Sequence, residues 1–282
     1  MRTERHRTVV VGLGRLGSAL GVQLRRAGWP VQVRTRSPSG RRQATRLGLR
    51  EADEKALAAA EICLLAVPDS AVAAVARAVA PLLGKSTGLV HCAGALTLEV
   101  LAPVAAGRPT GSFHPLVNVT GPATPLAGHA VAVATRSRVL APRLAALARA
   151  VGLVPVQVPE VGRAAYHAGA LLAASGLVAH LDAAVAAWRA AGVSEREALA
   201  ALVPLMRSAL AGVEERGLLE ALTGPVVRGD AEVVQAHLRS LPRDVVPLYR
   251  ALASRVLDRV AHRLSRPTVL RLNALLGPRR ST

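Results

Sequence analysis

Aromatic residues make up only 2% of this 282-residue chain: one Phe, two Tyr and two Trp. That scarcity argues against a stacking platform for single-stranded nucleic acid, which needs repeated aromatic faces. Two cysteines, Cys63 and Cys92, cannot by themselves build a disulfide framework or a zinc site. Both lie in apolar runs, so they are expected as reduced thiols in the core, in a cytoplasmic protein. Lysine occurs only at Lys55 and Lys85, which excludes a lysine acid or Schiff base from the second half of the chain. His91, His129, His180 and His237 have no metal-ligand spacing and read as structural, so no metal is expected. The absence of a Ser-His-Asp signature or nucleophile elbow argues against hydrolysis.

Apolar residues and arginine are abundant instead. The hydrophobic fraction is 51% and the formal net charge is +18, with a mean hydropathy of +0.33. Such a chain buries a sizeable core and is not disordered. The arginines are scattered, with no basic helical stripe. The charge therefore suits an anionic small molecule, through guanidinium forks, better than specific nucleic-acid binding. Arg2, Arg5 and Arg7 ahead of an apolar stretch imitate a signal peptide, but Arg15 interrupts the stretch. The longest apolar run, Ala164 to Leu181, contains Tyr166, His167, Ser175 and His180. It reads as a buried helix of a soluble protein, so no membrane partner is expected.

Periodicity divides the chain in two. β-Branched or apolar runs at Thr8–Val11, Val31–Val33, Ile62–Val67, Leu89–Cys92, Thr110–Phe113, Ala130–Ala134 and Val154–Val158 read as strands. Helical patterns alternate with them, including one N-capped by Asp69 and running through Leu83. After Pro159 only helices are read, over Gly162–Ala191, Ser194–Ala211, Ala231–Leu241 and Asp244–Leu264, punctuated by Gly192, Gly212 and Thr223-Gly224-Pro225. The expected class is α/β: a doubly wound sheet over residues 1–159, then an all-α domain over 160–274. A frayed tail is expected over 275–282.

Gly12-Leu13-Gly14-Arg15-Leu16-Gly17 is a GxGxxG turn between the first strand and the first helix. In that context it reads as a dinucleotide-phosphate cradle. Gly12 makes the turn, Gly14 admits a pyrophosphate to the backbone, and Gly17 lets the helix pack. The helix N-terminus supplies free N–H groups and positive potential. At the end of the second strand, where an NAD site usually places an acid, stand Arg34, Thr35, Arg36 and Ser37, and no acid occurs between Gly12 and Glu51. Guanidinium and hydroxyl groups suit a 2′-phosphate, so NADP(H) is expected.

This turn, with Leu65-Ala66-Val67-Pro68-Asp69, His91-Cys92-Ala93-Gly94-Ala95-Leu96, Gly111-Ser112-Phe113-His114-Pro115-Leu116, Tyr166-His167-Ala168 and Leu222 to Asp230 in that order, resembles the Rossmann-like oxidoreductases with an uncharacterised C-terminal helical domain. These are distant relatives of pyrroline-5-carboxylate reductase, ketopantoate reductase and prephenate dehydrogenase. The resemblance spans most of residues 8–260. It implies an NADP-binding domain, a helical substrate domain that mediates homodimers, and a cleft between them. Where that family often has Ser-Asn after Tyr-His, this chain has Ala174-Ser175, and Ser175 would replace the amide with a shorter reach.

Ligands of doubly wound sheets bind beyond the carboxyl ends of the strands. Val67, Pro68 and Ala93 are therefore expected beside the nicotinamide. His114, at a strand end in apolar surroundings, is the first choice to move a proton, followed by His167 and Tyr166, with Ser175 positioning. Tyr166 and His167 point about 100° apart on a helix, so only one is expected to face the cleft squarely. Arg228 either binds a substrate carboxylate or pairs with Asp230. The expected reaction is hydride transfer to or from a small carbonyl or imine. The alternative is a non-catalytic NADP-binding redox sensor or scaffold.

Overall fold

The structure, a computed structural model, describes residues 4–277. The first compact unit ends at Ala174 and the second begins at Ser175. The first holds a seven-stranded sheet: β1 Thr8–Val11, β2 Val31–Arg34, β3 Ile62–Leu65, β4 Gly88–His91, β5 Thr110–Pro115, β6 Ala130–Thr135 and β7 Val154–Gln157, in the order β2-β1-β3-β4-β5-β6-β7. Only the β5–β6 pair is antiparallel. The expected doubly wound α/β architecture is therefore present.

Strand periodicity divides the core between the two faces. Val10, Leu64, Val90 and Phe113 pack on one side. Val9, Val11, Cys63, Leu65 and Leu89 pack on the other. The helices of this unit are α1 Arg15–Arg26, α2 Pro38–Arg46, α3 Glu54–Ala58, α4 Val72–Val79, α5 Ala102–Ala105, α6 Leu140–Ala150 and α7 Arg163–Ala173. Pro38-Ser39-Gly40 has the composition of a loop, yet it opens α2, because the Ser37 hydroxyl accepts the Gly40 amide and proline suits a first helical turn. Asp69 does not N-cap α4. It starts a 3₁₀ turn over Asp69–Ala71, and a second 3₁₀ turn at Ala80–Leu82 ends the expected helix early.

The second unit contains α8 Ser175–Ala190, α9 Glu195–Glu220, α10 Pro225–Arg228, α11 Ala231–Ser240, α12 Val246–Val260 and α13 Arg266–Leu276. Gly212 lies inside α9 rather than ending it; the kink falls at Gly217, φ 78°. Val226, Val234, Leu257, Leu272 and Leu276 form one core cluster, and Val185, Ala198 and Leu202 form a smaller one. Leu275 and Leu276 are thus helical, and the expected frayed tail does not begin there; its residues 278–282 lie outside the described residues.

Two further expectations fail. The unit boundary falls at Ala174 rather than 159, because α7 packs at the carboxyl ends of β4 and β5, with Arg163 bonded to Ala93 and Leu96 and Tyr166 to His114. The apolar run is not buried within this chain. Glu160–Ala190 has the length and mean hydropathy, 1.7, of a membrane span, but only 6% of that apolar window is buried. Val178, Leu171 and Leu172 are exposed. The small α8–α9 cluster covers one stripe of α8 and leaves the rest open.

Candidate active site

The glycine turn fits a diphosphate. Gly12 has φ +96°, a left-handed conformation that disfavours any side chain. A Cβ on Gly17 would stand 2.0 Å from the Gly12 carbonyl oxygen, so α1 can start this close only with glycine there. A Cβ on Gly14 would meet nothing within 4 Å, which is open space over the turn. The first helical bond runs from the Ser18 amide to the Gly14 carbonyl. The amides of Arg15, Leu16 and Gly17 are left for a ligand, and no acid stands in this first turn. Leu13 takes no part with its side chain, which is buried in the core at 9% exposure.

At the end of β2 the geometry departs from the sequence reading. Glu51 bridges in parallel to Val33. Its Oε1 accepts the Thr35 amide at 2.8 Å and the Thr35 hydroxyl at 3.2 Å. An acid is therefore present where sequence distance suggested none, and the Thr35 hydroxyl is already engaged. Arg34 donates through Nη1 to the Ala52 carbonyl, and the Ser37 hydroxyl caps α2. Arg34 and Arg36 remain as the cationic groups at the end of β2, with the Glu51 carboxylate beside them.

An open cavity of about 510 Å³ leads from Gly14, Arg15 and Leu16 past Val67, Pro68, Cys92 and Gly94 to His114, Asn118 and His167. Ala93 is not on its wall. That residue is 2% exposed and packs on the opposite core face, because side chains alternate along a strand. Its neighbours Cys92 and Gly94 take the wall position. Both cysteines are free and buried.

At the far end three sequence-predicted residues converge. His114 Nδ1 and the Tyr166 hydroxyl are 2.7 Å apart. The His114 ring meets the edges of Tyr166 and His167, with centroids 5.8 Å away in each case. Tyr166 and His167 both reach His114, although only His167 lines the cavity. Burial, the neighbouring His167 and the Arg163 charge push His114 down to about 4. Burial raises the Tyr166 phenol, and the Arg163 charge opposes that rise. His91, on the same sheet face, is fully buried. Its ring nitrogens face the backbone of Ala93 and Thr97 without reaching hydrogen-bond geometry, and burial followed by Arg163 pushes it down to about 4. Ser175 belongs to the second unit.

Comparison with known proteins agrees with this layout. Residues 1–115 match the family of Rossmann-like domains. Residues 130–256 match the family described as Domain of unknown function (DUF2520). The chain joins a Rossmann-like domain to a DUF2520 domain. No curated protein matches it. Among solved structures, a candidate NADP oxidoreductase of Bacteroides fragilis has a TM-score of 0.73 at 22% identity, over 91% of this chain and 99% of that one. A reductive aminase of Aspergillus terreus, in complex with NADPH4, cyclohexanone and allyl amine, scores 0.61 at 19% identity, over 91% and 96%. A pyrroline carboxylate reductase of Plasmodium falciparum, with NADP bound, scores 0.63 at 14% identity, over 97% and 99%. At these identities the likeness establishes the fold.

The DUF2520 match begins at Ala130, within the sheet of the first unit, and includes α7. That helix supplies two residues missed by the sequence reading, Arg163 and, on the turn before it, Glu160. The available signal was spacing. Tyr166 and His167 lie three and four positions after Arg163, so all three share one helix face. Arg228, by contrast, pairs with Asp230 at 2.9 Å, which favours the structural reading of that loop.

Proposed function

We propose that the protein is an NADP(H)-dependent oxidoreductase acting on a small carbonyl or imine compound. The observation that carries this reading is the single cavity that joins the glycine turn to the His114–Tyr166 pair. The free amides of Arg15 to Gly17 would hold the diphosphate, and Arg34 and Arg36 the 2′-phosphate. When bound, the nicotinamide supplies or accepts the hydride.

In reduction, the substrate carbon gains hydride and its oxygen or nitrogen needs one proton. A neutral His114 gives that proton from Nε2. In the same step the Tyr166 hydroxyl delivers its own proton to Nδ1 across the 2.7 Å contact, so the imidazole stays neutral, and solvent then reprotonates the tyrosinate. His167 borders the same space and shapes the substrate pocket. The arginine-rich surface favours an anionic substrate. The exposed apolar faces of α8 and α9 are read as the surface that a second copy of the chain covers.

The test is NADPH consumption over a panel of cyclic imines and small ketones. We expect His114→Ala to lower the rate by about 10²–10⁴-fold, with cofactor binding retained, and His167→Ala to lower it less. If NADPH binds tightly and nothing on the panel consumes it, the redox-sensor reading replaces this one. If neither dinucleotide binds, both readings fall.

Glu51 offers a separate check on the cofactor. Glu51→Gln keeps an oxygen for the Thr35 amide and removes the negative charge. Titration by nucleotide fluorescence should find NADPH bound roughly three- to tenfold more tightly and NADH little changed. Equal effects on the two cofactors would place the 2′-phosphate away from the end of β2.

A further inference from the structure

Whole burial of a charged side chain normally requires a partner of opposite charge. Arg163 is 1% exposed, yet its partners are carbonyls. Nε donates to Leu96 at 3.3 Å and Nη2 to Ala93 at 3.2 Å, while Nη1 is buried without a hydrogen-bond partner. One turn earlier, Glu160 Oε2 accepts the Leu98 amide at 2.7 Å. Two charged side chains at the start of α7 thus grip both ends of the segment 93–98. That segment carries Gly94, where an added Cβ would lie 2.3 Å from His167 Nδ1 and 2.9 Å from His114 Nε2. The guanidinium also stands 5.8 Å from the centre of the Tyr166 ring.

Arg163 does not line the cavity, so it acts through its neighbours rather than on a substrate. We propose that Arg163 is a positioning residue for the His114–Tyr166 pair: its fork holds the Gly94 turn against both imidazoles. After burial and His167, its charge also disfavours a cation on His114. The groups around His114 are His91 from β4, Ser112 on its own strand, and Arg163, Tyr166 and His167 from α7. Glu160 Oε2 is engaged by the Leu98 amide, and its Oε1 is buried without a hydrogen-bond partner. A neutral His114 holds one transferable proton, and the nearby positive charge favours the tyrosinate left when Tyr166 refills it. The effect on turnover rests on the hydride-transfer reading. The effect on His114 does not.

The test uses the full-length protein with isotope-labelled histidine. The His114 resonance is assigned by its loss in His114→Asn. In Arg163→Gln the titration midpoint of His114 should move up from about 4, because a positive neighbour has gone. In Arg163→Lys it should stay low. Lysine keeps the charge but cannot fork to two carbonyls, so kcat should still fall on the order of tenfold or more, with cofactor affinity unchanged. An unmoved midpoint in Arg163→Gln, or wild-type kcat in Arg163→Lys, overturns the proposal. If the Gln variant does not fold, the Lys variant alone decides, since a low midpoint combined with lost turnover is expected only from a positioning role. Should no substrate be found for the wild type, the hydride-transfer reading fails while the titration still tests the electrostatic part.

Discussion

Gly94→Ala is expected to lower turnover by on the order of a hundredfold while the protein stays folded. The added Cβ would fall 2.3 Å from His167 Nδ1 and 2.9 Å from His114 Nε2, both inside van der Waals contact. The groups that must yield are two imidazole rings rather than backbone. Relief therefore comes from ring rotation, which costs the fold little. It costs the site much more, because His114 is tied to the Tyr166 hydroxyl and a displaced ring breaks the proton path. Steady-state kinetics beside thermal unfolding measures both. Gly169→Ala is the control on α7: its Cβ meets nothing within 4 Å, so it should leave turnover intact and stabilise the helix by about 0.5–1 kcal/mol. Wild-type rates in Gly94→Ala would remove these two imidazoles from the chemistry.

The second large effect separates the glycines of the first turn. Gly17→Ala drives a methyl to 2.0 Å from the Gly12 carbonyl oxygen, with Ala66 Cβ at 3.2 Å behind it. Neither neighbour is the end of a flexible side chain, so α1 itself must move. We expect a stability loss of roughly 2–3 kcal/mol and no measurable dinucleotide binding. Gly14→Ala should behave oppositely in one respect. Its methyl enters open space, so the melting temperature is unchanged, yet that space is where a diphosphate would approach the backbone. Affinity for NADPH should therefore fall by about a hundredfold or more, as read by calorimetry. If Gly14→Ala binds NADPH normally, the phosphates do not lie over this turn.

The first strand, its glycine turn and α1 could be read directly, because their signals are local. Four β-branched residues, a left-handed glycine and a helical period need no distant partner. His114, Tyr166 and His167 were recognisable as chemistry-bearing residues for the same reason. Their mutual contacts were not, since a helix face has no address until it docks. Arg163 was passed over because arginine is mostly a surface residue; only the docking of α7 on the Ala93–Leu96 turn buries it. Glu51 misled for a related reason. Sequence distance put it outside the β2 site, and a single parallel bridge to Val33 returns it there.

Helix exposure shows the same division. Composition alone made Ala164–Leu181 apolar, and the expected single helix is broken at Ala174 into α7 and α8. Whether it is covered depends on what stands beside it, and within one chain little does. The sequence by itself determined the α/β order, the phosphate-type turn and the absence of a second-half lysine, because each depends on residues adjacent along the chain. Only the tertiary structure decided that Tyr166 and His167 both meet His114, that Arg163 is buried beneath them, and that Glu51 faces Thr35. These contacts join residues 16 to 70 positions apart, and packing alone brings such residues together.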